Sequence, residues 1–305
     1  MKNILVGFLL LFPTLSNGQE TKELKFSPAI DFLKMPSGWY LQEVAGVAVN
    51  SEDHIFVFHR GKHPLLEFDA DGKFIRSIAE DLFVSPHGLR IDKYDNLWTT
   101  DVGSHVVLKF SKNLELQMVL GKWNTAGEET KLFGLFSHLF NKPTDVGFDS
   151  QDNIFITDGY ENSRIMKFDR DGVFIKSWGT KGDSVGQFNV PHTIVVDKDN
   201  LVYVGDRQNK RIQIFNTEGK FLSAWDNIGY PWGLVQYSNK FYMTDGHAGK
   251  LIELSKEGKI IGTYGGSGKK PGQFGWPHMI AVDSKGNLYI AEILNWRMQK
   301  LTVRK

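Results

Sequence analysis

Short apolar runs, each closed by a polar turn cluster, recur from about residue 44 to the end of the chain. The segment that starts at Pro191 shows the pattern most plainly. Apolar runs at 193–196, 201–205, 211–215 and 221–225 are separated by the turn signals "KDN", "QNK" and "TEGK". Runs this short, bounded by Asn, Asp and Gly, predict β-strands. The set of four then repeats. "PTDVGFDSQDNIFITDGYENSRIMKFDRDGVFIKSWG" from residue 143 and "PWGLVQYSNKFYMTDGHAGKLIELSKEGKIIGTYG" from 231 align with it. Further copies start at Pro86 and Pro277, and a degenerate one near Val44, which makes six copies. Successive start prolines from Pro86 lie 57, 48, 40 and 46 residues apart, the spacing of propeller blades.

A four-stranded sheet cannot bury both faces alone, but six of them stacked about an axis can. The predicted fold is therefore an all-β, six-bladed β-propeller. The last copy stops after its third strand, in "RMQKLTV". Its fourth strand is expected from the N-terminal segment "ELKFSP", at Leu24, Lys25 and Phe26, which would close the ring and remove an exposed edge. No Pro/Ser-rich linker interrupts the repeat, so residues 19–305 are expected to form one domain.

The first eighteen residues belong to a different pattern. Lys2 precedes the apolar run "ILVGFLLLF", and Ser16-Asn17-Gly18 follows. This predicts a signal peptide, residues 1–18, cut after Gly18, and a secreted or periplasmic protein. The run is too short to span a bilayer, and no other segment reads as a membrane span. With 31 glycines and 13% aromatic residues, the composition suits a turn-rich β protein. Lys and Arg number 36 against 35 Asp and Glu, so no basic field exists for nucleic acid. The chain contains no Cys, which excludes disulfides, a lipid-anchor cysteine and thiolate metal sites. A monomer is expected.

Aligning the copies places the histidines. After the start proline, or its equivalent, stand Ala45, His87, Thr144, His192, Trp232 and His278. Histidine occupies copies two, four and six. The first strand of each blade lines the central channel, so equivalent positions in alternate blades sit about a third of a turn apart at one level. Three imidazoles would converge there. Neutral imidazole is a favoured zinc ligand, and three protein ligands with one open position form the catalytic arrangement. Each histidine could instead be a satisfied polar residue near a turn. Three of the nine in one repeat register favour the metal.

A second ring lies where the second strand of each blade ends. Asp101, Asp158 and Asp245 close "TTD", "ITD" and "MTD" and read as structural acceptors of loop amides. The next position carries Arg60, Val102, Gly159, Arg207, Gly246 and Ile293. Arg60 and Arg207 stand out, because guanidinium grips a carboxylate through two hydrogen bonds. Arg164, Arg211 and Arg297 belong to a repeated N-x-R element and read as packing residues between blades. Tyr160 in "DGYENSR" could present its phenol to the channel or cap a blade. His247 in "DGHAGK" reads as structural. The long insert 121–141, with His138, reads as a lid or rim loop.

The repeat resembles the NHL repeat, most closely in "GQFNVPH" (186–192) and "GQFGWPH" (272–278). Within that group the chain resembles peptidyl-α-hydroxyglycine α-amidating lyases. The similarity lies in "VFHRGKH", "SPHGLRIDKYDNLWTTDV", "PTDVGFD", "DGYENSRI" and "GDRQNKRIQIF". The resemblance implies Zn2+ on His87, His192 and His278, substrate carboxylate contacts from Arg60 and Arg207, and Tyr160 as base. The reaction it implies cleaves a peptidyl-α-hydroxyglycine, a small-molecule or peptide substrate with a carboxylate, to an amide and glyoxylate. It also implies an Asp after the third ligand, helping to bind a structural Ca2+. Met279 stands there, which puts the calcium in doubt. Two other readings remain: a non-catalytic propeller that binds a protein or glycan partner, and a calcium-dependent lactonase-type propeller, which would call for channel carboxylates rather than histidines.

Overall fold

The computed structural model describes residues 22–127 and 138–303. The predicted signal peptide and residues 128–137 of the 121–141 insert lie outside the described residues. The described residues form six sheets around a central axis, a β-propeller. Blade 1 comprises Val44–Val49, Ile55–His59, Leu65–Phe68 and Phe74–Ile78. Blade 2 comprises Pro86–Ile91, Leu97–Asp101, Val106–Phe110 and Leu116–Gly121. Blades 3, 4 and 5 begin at Asp145–Phe148, Pro191–Val196 and Pro231–Tyr237, each followed by three antiparallel neighbours in sequence order. In blade 4 these are Leu201–Asp206, Arg211–Asn216 and Phe221–Asp226, within a residue or two of the predicted runs.

The turn chemistry repeats as well. Between first and second strands, Asp92, Asp149, Asp197 and Asp283 each accept backbone amides two and four residues on. This Asx-turn fixes the strand reversal in every blade where it occurs.

Packing grades outward from the axis. First strands are largely buried, as in Pro191–Val196, whereas the outer strand Phe74–Ile78 has a single buried residue, Ile78. Apolar side chains of adjacent blades meet in clusters between the sheets. Blade 6 contains Pro277–Val282, Leu288–Glu292 and Arg297–Val303. Val57 and Phe68 of blade 1 pack with Met279 and Tyr289 of blade 6, and Leu24 and Phe26 join Ile280 and Leu288. Each such buried side chain contributes about 1.5–3 kcal/mol.

Ring closure uses the N-terminal segment, shifted from the expected residues. Phe26–Ala29 pairs antiparallel with Arg297–Val303 as the outer strand of blade 6. Lys22–Glu23 instead adds a parallel fifth strand to blade 5, beside Ile260–Gly265. Leu24 is the crossover, with its amide bonded to the Thr263 carbonyl and its side chain buried. Two blade edges are thereby covered by one short segment. Among the described residues no helix is long and apolar enough to cross a membrane.

Candidate active site

His87, His192 and His278 are buried on the first strands of blades 2, 4 and 6, and their ligand atoms all lie within 4.8 Å of one another. One hydrogen bond orients each ring. Nδ1 of His87 donates to the Thr144 carbonyl at 2.7 Å, that of His192 to Trp232 at 2.6 Å, and that of His278 to Ala45 at 2.6 Å. The three acceptors are the equivalent residues of blades 3, 5 and 1. All six copies of the position after the start proline thus take part, half as imidazoles and half as carbonyls. With the proton held on Nδ1, the Nε2 lone pairs are left for the axis.

Burial pushes the pKa of all three rings down, that of His278 to about 3. Neighbouring positive charge adds to this, chiefly from Arg207 at His192 and from Arg60 at His278. The rings are neutral, the form that binds metal. Oriented donors and a buried neutral triplet fit a single ion such as zinc, copper, iron or nickel.

Tyr160 follows the second strand of blade 3, on the loop "DGYENSR". Its phenol oxygen lies 3.0 Å from His87 Nε2 and 3.3 Å from His192 Nε2. Gly159 brings the loop in, since a Cβ there would sit 1.9 Å from the Pro191 carbonyl oxygen. Tyr160 therefore faces the channel rather than capping a blade.

The arginines flank the same centre. Arg60 Nε donates to the Pro86 carbonyl at 3.2 Å, next to His87. Arg207 is only 8% exposed, and its Nε is buried without a hydrogen-bond partner. Its guanidinium carbon lies 4.7 Å from the Trp232 ring centre and 5.4 Å from that of Tyr160. A buried unpartnered donor on a permanent cation is costly unless an anion answers it.

The other residues that the sequence singles out lie apart from this centre and serve as scaffold, and the acids are as expected. Asp101 accepts the amides of Val84, Ser85, Gly103 and Ser104, and Asp245 those of Tyr230, His247 and Ala248. Arg164, Arg211 and Arg297 pair with Asp158, Asp206 and Glu292 and bond carbonyls of the segment arriving from the preceding blade, a clip between blades. His247 accepts from Trp232 Nε1 at 3.1 Å and stacks on Tyr230. His138 sits by Phe174.

The calcium that the family resemblance implies does not fit. Met279 is packed in the core between blades 1 and 6, where a thioether offers no hard oxygen donor. A guanidinium crosses the first strands instead. Arg90 grips Asp145 through Nε at 2.9 Å and Nη2 at 2.6 Å. The same Nη2 reaches Thr193 Oγ1 and the Leu234 carbonyl, both at 3.1 Å. This strut joins blades 2, 3, 4 and 5. Sequence reading missed it and missed Trp232 as a ring over Arg207. Trp232 was visible only as the odd member of the register that carries the histidines.

Comparisons with known proteins agree with this architecture. The NHL repeat model matches residues 140–168 and 188–215. The probable peptidyl-alpha-hydroxyglycine alpha-amidating lyase of Caenorhabditis elegans is 36% identical over 183 residues, 52% of this chain and 50% of the relative. Peptidyl-alpha-hydroxyglycine alpha-amidating lyase 2 of Drosophila melanogaster is 28% identical over 295 residues, 82% of this chain and 68% of the relative. The chain carries NHL repeats and is similar in sequence to peptidyl-α-hydroxyglycine α-amidating lyases. Peptidyl-glycine alpha-amidating monooxygenase B of Xenopus laevis is 34% identical over 188 residues, but the match spans only 21% of that longer protein. Among solved structures, a streptogramin B lyase superposes with a TM-score of 0.66, covering 92% of this chain and 98% of that one. At 14% identity that likeness is one of fold.

Proposed function

We propose that this protein is a zinc-dependent lyase acting on a peptidyl-α-hydroxyglycine, or a similar N-substituted α-hydroxy acid, to give an amide and glyoxylate. The observation that carries the reading is the meeting of three features at one point. A neutral histidine triplet, a phenol 3.0 Å from one of its nitrogens, and a buried arginine whose Nε lacks a hydrogen-bond partner meet there. The export reading of residues 1–18 belongs to the same proposal, which sets the protein to work outside the cytoplasm.

The substrate needs a grip on its carboxylate, and Arg207 with Arg60 supplies it. The rings of Tyr160 and Trp232 against Arg207 keep water away from the guanidinium and strengthen that grip. His87, His192 and His278 would hold zinc, whose chemistry there is to lower the pKa of a hydroxyl or water beside it. Tyr160 as phenolate accepts the proton of the substrate hydroxyl. The electron pair of that O–H bond becomes the carbonyl of glyoxylate, and the C–N pair leaves with nitrogen. Nitrogen takes up a proton, so one proton is lost and one gained. Tyr160, now protonated, is placed to return it.

Glyoxylate release from α-hydroxyhippurate tests this. Wild type with its metal should release glyoxylate well above the spontaneous rate. Tyr160→Phe, which removes only the proton acceptor, should slow turnover by ~10²–10⁴-fold. Arg207→Lys keeps the charge, loses the fork, and should raise KM with metal content intact. Failure of metal-loaded wild type to release glyoxylate would overturn the reading. Full activity in both variants would overturn the assigned roles.

A further inference from the structure

One wall of the site offers more surface than its contacts with His192 and Arg207 use. Trp232 holds His192 through its carbonyl, and its indole lies over Arg207. The same indole sits 5.5 Å, centre to centre, from the rings of both His192 and His278. Gly246 makes room for it, since a Cβ there would come within 2.4 Å of the indole. His247 satisfies the indole N–H, so the group is fixed and what it offers a ligand is carbon surface.

That surface continues outward. Trp232 meets Trp276 with centroids 5.5 Å apart and planes at 51°. Trp276 lies two residues before His278 and is 46% exposed. Leu294, also exposed, is tied beside it by a hydrogen bond from its backbone N–H to the Gly275 carbonyl. A lone exposed tryptophan is ordinary. This one is continuous, through a buried indole, with the donor that lacks a partner and with the histidine cluster.

The substrate geometry says what could lie there. An α-hydroxyglycine carbon carries a hydroxyl, a carboxylate and the acylated nitrogen. With the hydroxyl at the histidines and the carboxylate at Arg207, both flanking Trp232, the acyl group is the part directed to solvent, and Trp276 borders that exit. We infer that Trp232 and Trp276 form a subsite for a flat apolar acyl group, so that the protein selects aromatic N-acyl-α-hydroxyglycines over small aliphatic ones. The hydroxyglycine part of the inference rests on the lyase reading; the aromatic preference does not.

Binding of the unreactive acids N-benzoylglycine and N-acetylglycine, measured by calorimetry with metal content determined alongside, separates the two. Wild type should bind the benzoyl compound about tenfold tighter or more, the scale of one well-placed aromatic contact plus its buried area. Trp276→Ala should reduce that ratio towards one, and Trp276→Phe should largely keep it. Equal affinity of wild type for the two acids would overturn the subsite, as would a ratio unchanged in Trp276→Ala with metal retained. A clear ratio with no glyoxylate released from the α-hydroxy counterparts would leave the subsite standing and overturn the lyase reaction instead.

Discussion

His59 shows how one residue can replace another's role within a repeat. It ends the second strand of blade 1, where Asp101, Asp158, Asp206 and Asp245 stand in blades 2 to 5. Like those carboxylates it collects loop amides, from Gln42 and Gly61, but through Nδ1. An accepting Nδ1 requires the neutral ring, and burial lowers its pKa to about 4. The unfolded chain binds this proton near pH 6.5 and the folded protein only near pH 4, so the stability it contributes is complete above 6.5 and is lost as pH falls towards 4. His59→Asn offers an acceptor that does not titrate. Urea unfolding at pH 7 and pH 4 should show wild type losing ~2–3 kcal/mol more than the variant across that interval. Parallel losses would refute the assignment. The role was hidden in the sequence because His59 sits in "VFHRGKH", where its chemistry differs from the aspartates of the same register.

Elements were legible to the extent that their signals were local. The strands of blade 4 followed from apolar runs and Asx-turns, because both act within a few residues. The closing strand slipped from the expected 24–26 to Phe26–Ala29, because Pro28 and the short run around it give no periodicity to anchor register. Arg90 was illegible for a related reason: its partners lie on three other blades, at Asp145, Thr193 and Leu234. Its side chain is 14% exposed and Asp145 is wholly buried. Arg90→Met would leave Asp145 charged and without its cation, at a cost of about 3–5 kcal/mol. Pairing it with Asp145→Asn should recover part of that loss in urea unfolding. Added calcium should leave the Tm of wild type unchanged. A calcium-dependent rise in Tm, or an Arg90→Met protein as stable as wild type, would refute the strut as the device that ties these strands.

At the scale of the whole molecule, six-fold repetition turns distant positions into neighbours. His87, His192 and His278 are up to 191 residues apart in sequence, yet their ligand atoms meet within 4.8 Å because alternate blades present one register to the axis. That convergence was readable once the repeats were aligned. The arrangement of Trp232 over Arg207 was not, since it depends on side-chain direction across blades 4 and 5. The central claim is that the three imidazoles hold one metal ion, and elemental analysis of the purified protein tests it most directly. Wild type should carry about one zinc per chain, and His192→Ala, which removes one of three ligands, should lose most of it. Equal metal content in the two proteins would contradict the claim.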